Sequence, residues 1–163
     1  MAPGFAIDSG MLEDRFRALQ AQVHPDKSAH LADAEQRLAM QRSTLVNEAY
    51  RTLKSPIARA RYLLAQHGVD TQEETNTAMP VDFLMSQMAL REALEDAVRA
   101  RDMSALQKLD ERIKADAGAL EAELAIKIDT EQDYPAAAGL VRKLRFMEKM
   151  AEEIDSAYDE IDS

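Results

Sequence analysis

Cysteine is absent from the 163-residue chain. That one absence removes disulfides, thiolate zinc sites, cysteine-held clusters and thiol nucleophiles, and it is compatible with a reducing compartment. Aromatic residues make up only 5% and runs of β-branched residues are scarce, while Ala, Leu, Glu, Arg, Gln and Met, all good helix formers, dominate. An all-α protein is expected. No apolar run approaches the roughly 20 residues needed to span a bilayer. The start, Met1-Ala2-Pro3-Gly4-Phe5-Ala6-Ile7-Asp8, has neither a basic n-region nor an Arg-rich amphipathic leader, so a soluble cytoplasmic protein with no membrane partner is expected. There is no glycine-rich phosphate loop and no serine elbow. Positive charge is also short: the formal net charge is -10, which argues against nucleic acid as a partner, because phosphate contacts need clustered Lys and Arg.

What is present is helical periodicity and an uneven charge. Residues 1 to 68 carry 9 basic and 7 acidic side chains, +2, and residues 69 to 163 carry 11 and 23, -12. Two units with different partners would produce that split. Asp8 and Ser9 offer N-caps to a helix whose apolar positions Leu12, Phe16, Leu19 and Val23 recur every three or four residues, with Arg15 and Arg17 on other faces. A second helix is predicted to start between Leu31 and Ala34 and to run through Leu38, Leu45, Ala49 and Leu53 until Ser55-Pro56 stops it. With so short a connection the two form an antiparallel hairpin.

Between them lies His24-Pro25-Asp26. A proline lacks the backbone donor and disfavours helix for the residue before it, so a rigid corner results, with His24 and Asp26 at an exposed apex. From the residues alone, a plain helix-helix turn and a recognition site are both open. His24, Asp26 and His30 could also serve as metal ligands, but their spacing matches no helical zinc motif and no fourth ligand is evident. No metal, resident cofactor or catalytic site is expected, so the chain reads as a non-enzyme.

Residues 68 to 79 are polar, show no helical stripe and read as a linker. Three amphipathic helices should follow. The first runs from Pro80 to about Arg101, and the second from Ser104 to about Ile128, through Leu106, Leu109, Ile113, Ala117, Leu120 and Leu124. The third opens near Tyr134-Pro135 and continues through Leu140, Leu144, Met147, Ala151, Ile154 and Tyr158. These helices make an antiparallel three-helix bundle over residues 80 to 163, behind an N-terminal unit of residues 1 to 67. The first carries Val81, Leu84, Met85, Met88, Leu90, Leu94 and Val98, apolar around more than one side, an excess that a partner-facing patch would leave.

The order of these motifs resembles a known family. A helix, the His24-Pro25-Asp26 loop, then a helix ending in Asn47-Glu48-Ala49-Tyr50 with Leu53 and Pro56 resembles a J-domain, the module that activates Hsp70 chaperones. Arg59-Ala60 and Tyr62-Leu63-Leu64 followed by His67-Gly68 are similar to the HscB type, the J-domain co-chaperone of iron-sulfur cluster assembly. Phe83-Leu84-Met85 with Leu90-Arg91-Glu92, and Val141-Arg142-Lys143-Leu144-Arg145-Phe146, are similar to its C-terminal domain. The resemblance implies that His24, Pro25 and Asp26, helped by Arg15, Arg17 and Lys27, contact an Hsp70-family chaperone of the HscA type and raise its ATP hydrolysis. It further implies that Leu84, Met85, Met88 and Phe146 form an apolar patch, rimmed by Glu92 and Asp96, for a cluster scaffold protein of the IscU type. The resemblance implies an acid where Ala89 stands, which leaves one rim contact out. J-domains of this kind also begin with a short helix ahead of the one leading to the loop, and that first helix is expected to be missing here. Phe16, Val46 and Tyr50 would then lose a wall, Phe5 and Ile7 would be free to pack back, and the hairpin would fray before the bundle. A J-protein adaptor for other Hsp70 clients, or an unrelated acidic helical interaction protein, are the alternative readings.

Overall fold

The Asp8 carboxylate accepts the Met11 amide at 2.9 Å and so caps the first helix, α1, Ser9–Val23. The computed structural model describes residues 4–24, 26, 32–73, 75 and 78–162, and no strand occurs among them. The second helix, α2, is Asp33–Lys54, acidic in its first turn and basic in its last, which suits the helix dipole at both ends. Ser55-Pro56 stops α2 as expected, but it also starts another helix, α3, Pro56–Gln66. The sequence reading did not place it. The cause is local: Ser55 Oγ accepts the Ala58 amide at 3.2 Å, and proline suits a first helical position because its missing donor is not needed there.

The chain divides into two compact units, Met1–Leu63 and Leu64–Ser163. In the first, α1 and α2 pair as an antiparallel hairpin, with the Phe16 and Tyr50 rings stacked 4.0 Å apart and 15° from parallel. Neither helix buries a single residue fully. Two helices offer each other only one stripe, so the far edges of both apolar faces stay uncovered. Phe5 does pack back: it is buried, and the Arg59 guanidinium lies 4.6 Å from its ring centre.

The second unit is built from α4, Val81–Ala100, α5, Met103–Ala125, and α6, Tyr134–Asp162. Its connections are capped at each joint. At the end of α3, Gly68 takes φ +72, and the Val69 and Gly68 amides bond back to the Leu64 and Ala65 carbonyls, a turn that glycine enters without steric cost. Arg101 makes the same kind of turn after α4, and Asp102 then caps α5 through the Ala105 amide at 3.0 Å. After α5 the backbone widens into a π segment, Ile126–Glu131, before Asp133 caps α6 through the Ala136 amide at 3.1 Å.

Leu90, Leu94 and Ala97 of α4, Leu106, Leu109 and Ile113 of α5, and Met147, Met150, Ile154 and Ala157 of α6 form the bundle core. Leu124, Ile128, Leu140 and Leu144, also expected inside, are buried, and Ala117, Leu120, Ala151 and Tyr158 are partly so. No helix takes up residues 68–73, yet they do not hang free: Thr71 is buried, and Arg142 donates to its carbonyl at 3.0 Å.

Candidate functional site

The first candidate site lies at the end of α1. His24 is the C-cap, with φ -61 and ψ 131, the extended conformation that a following proline imposes. Its Nδ1 accepts the Asp26 amide at 3.3 Å and lies 3.5 Å from Asp26 Oδ2. The two side chains are 53% and 90% exposed, which makes this a presented pair and not a core turn. Arg15 and Arg17 are exposed on α1, and Arg17 spends its charge on Glu13 at 3.0 Å. Pro25 and Lys27, named with them, lie outside the described residues, as does His30. Among the described residues no group of three His, Asp or Glu side chains stands where it could hold a metal ion.

Away from this corner, toward the start of α1 and the end of α2, an open groove of about 570 Å³ runs between the two helices, lined by Met11, Leu12, Phe16, Leu19, Leu45, Val46, Tyr50 and Leu53. Phe16, Val46 and Tyr50 line this groove and are half-buried.

The second candidate site is on α4. Leu84, Met88, Glu92 and Asp96 step by four along one ridge, with Val81 and Met85 beside it. Leu84 is 40% exposed, Met85 66% and Met88 72%, and Val81 is exposed as well. Glu92 and Asp96 extend the ridge in acid, Asp96 pairing with Arg99 at 3.2 Å. Phe146 departs from the expected patch: it is only 9% exposed and belongs to the core. Phe83 meets it edge-on at 5.9 Å, and the Arg91 guanidinium covers it at 5.6 Å. A ring on α6 facing α4 is covered by whatever α4 sets against it. Phe146 thus backs the patch from inside instead of forming its surface.

The C-terminal unit matches the family model described as the HSCB C-terminal oligomerisation domain over residues 79–155. Over nearly its whole length the chain is similar to proteins named co-chaperone protein HscB homolog. The one from Azoarcus sp. (strain BH72) is 46% identical over 98% of this chain and 90% of that protein. The one from Chromobacterium violaceum is 53% identical over 96% and 89%. The chain belongs to the HscB family of co-chaperones. The solved structure of the chaperone HscB from Vibrio cholerae superposes with a TM-score of 0.84 at 34% identity, covering 97% of this chain and 93% of that one. A member of the HscB family is a co-chaperone of iron-sulfur cluster assembly, whose partners are an Hsp70 chaperone and a cluster scaffold.

Seen as an HscB-type surface, the α4 patch has a flank that sequence reasoning did not name. Arg91 joins Glu153 at 3.4 Å while lying over Phe146, and Lys143 Nζ lies 5.3 Å from the Phe83 ring centre. The rim is therefore of mixed sign, acidic along α4 and basic where α6 meets it. The signal was in the spacing, since Lys143 lies three residues before Phe146 and Arg91 three after Met88, one helical turn in each case.

Proposed function

We propose that this HscB-family chain couples an Hsp70 of the HscA type to a scaffold of the IscU type in the bacterial cytoplasm, with no chemistry of its own. His24, Pro25 and Asp26 engage the Hsp70, with Arg15, Arg17 and Lys27 supplying charge that steers a complementary partner surface. Leu84, Met85 and Met88 dock the scaffold, Glu92 and Asp96 orient it along the ridge, and Phe146 holds the patch in shape from beneath. Hydrolysis takes place on the Hsp70. One chain holding both partners raises the effective concentration of the client at the chaperone, so delivery needs no additional contact.

The observation that carries this reading is the α4 ridge: a unit that buries Leu90 and Leu94 keeps Leu84, Met85 and Met88 at the surface of the same helix. An exposed cluster of that size costs solubility unless a partner covers it. The test is steady-state ATP hydrolysis by the Hsp70 of the same genome, with this protein and the scaffold added separately and together. Stimulation by the native chain, its loss in His24→Gln, and further stimulation by the scaffold that disappears in Leu84→Ala/Met85→Ala are the expected results. Equal stimulation by the native chain and His24→Gln would remove the proposed role of the corner.

A further inference from the structure

In a chain without cysteine, the methionine thioether is the sulfur that oxidants meet, and oxidation turns a flexible apolar side chain into a polar one. The nine methionines are not equally placed. Met147 and Met150 are buried in the bundle core, whereas Met11, Met40, Met85, Met88 and Met103 are exposed, Met88 and Met85 the most of these; only Met85 and Met88 lie on the docking face. The two stand three residues apart on one face of α4, so both sulfurs belong to a single apolar surface. Exposure and position coincide there: the thioethers open to solvent on α4 are the ones that make up the docking ridge.

We propose that Met85 and Met88 are an oxidant-sensitive modification site that switches the scaffold-docking face off; this rests on the assignment of that face to the scaffold. The oxidant is a hydroperoxide, with hydrogen peroxide the simplest case. The thioether sulfur attacks the terminal peroxide oxygen, the O–O bond breaks and an S–O bond forms. The sulfur is oxidised by two electrons, the departing hydroxide takes the proton from the transferred oxygen, and hydrogen peroxide leaves reduced, as water. The sulfoxide oxygen is a strong hydrogen-bond acceptor. An apolar partner surface has no donor for it, so docking would strip its water without replacement. The reverse step belongs to methionine sulfoxide reductases, thiol-dependent enzymes that act on one sulfoxide epimer each and return the oxygen as water. Cluster delivery would then stop while peroxide is present and resume without new protein synthesis.

The test treats the full-length chain with hydrogen peroxide until peptide mass analysis shows one added oxygen on Met85 and on Met88, then titrates it calorimetrically against the scaffold protein of the same genome. The expected result is binding weaker by about tenfold or more, restored by the two reductases. A Met85→Leu/Met88→Leu variant, which keeps an apolar ridge without sulfur, should show the same affinity before and after peroxide, whatever its starting affinity. The switch is overturned if the oxidised native chain binds unchanged, if the leucine variant loses affinity to the same extent, or if Met147 and Met150 gain oxygen first. Untreated chain that fails to bind the scaffold would overturn the docking assignment, and the switch with it; untreated chain that binds but ignores peroxide overturns the switch alone.

Discussion

Replacing Met85 and Met88 together by alanine should weaken scaffold binding and leave the bundle folded, whereas Leu90→Ala on the same helix should do the reverse. The methionines are 66% and 72% exposed, and Leu90 is 0% exposed. Fully burying a side chain of this size is worth about 1.5–3 kcal/mol. Scaled by the exposed share, docking can draw about 1–2 kcal/mol from each methionine, or about 2–4 kcal/mol from the pair. That corresponds to a Kd raised by about 30-fold to several-hundred-fold. The remaining third or so of each side chain already packs on the bundle, so the pair costs the fold about 1–2 kcal/mol, partly offset by the higher helix propensity of alanine. Leu90→Ala leaves a hole in the bundle core to which Leu90 belongs and should cost about 2–5 kcal/mol of folding stability. Calorimetric titration against the scaffold measures the first effect, and urea unfolding followed by helical circular dichroism measures the second. A double alanine variant that unfolds as readily as Leu90→Ala, or that binds the scaffold with native affinity, would refute the division of α4 into a packing face and a docking face.

Three further outcomes follow from the same structure. His24→Gln should abolish stimulation of the Hsp70 ATPase while changing unfolding free energy by no more than about 0.5 kcal/mol, because the ring is largely exposed and its bond is to a neighbouring amide; a matching loss of stability would mean that the corner is structural. Phe16→Ala removes the stack on Tyr50 and should destabilise the hairpin by about 2–3 kcal/mol, read as faster amide exchange in α1 and α2 with α4 to α6 unchanged; equal loss of protection in the bundle would show that the two units unfold as one. Burial foremost, helped by the charge of Asp110, raises the Tyr158 phenol above its ordinary 10.0, and the hydrogen bond and charge of Asp110 raise Lys114 above its ordinary 10.5. Both groups hold their protons longer folded than unfolded, so their contribution is whole below about pH 10 and falls as pH rises through the raised values. Thermal midpoints measured across that window should drop, and drop less in Tyr158→Phe; a flat profile would count against it.

Much of this fold could be read from local chemistry. Asp8 before a three-four apolar rhythm, Pro80 ahead of α4, and the rhythms of α5 and α6 placed the helices because caps and periodicity act within a few residues of one another. The corner at His24 was legible for the same reason, since the conformation of His24 is dictated by its immediate neighbour in the chain. Ser55-Pro56 shows the limit: the same two residues that end α2 also open α3, and a stop signal read from one side hides the start read from the other.

The sequence by itself therefore determined where α1, α2, α4, α5 and α6 lie, that an exposed imidazole-carboxylate pair sits between α1 and α2, and that α4 carries more apolar residues than one seam can bury. Only the tertiary structure decided which of those residues stay outside. Leu90 and Met88 are two positions apart, yet one faces α5 and α6 and the other faces water, and Phe146 lies under Phe83 and Arg91 although its motif reads as surface. Burial is a property of what packs opposite a side chain. For Phe146 the opposing groups come from a helix about sixty residues earlier in the chain, and no periodicity within α6 contains that information.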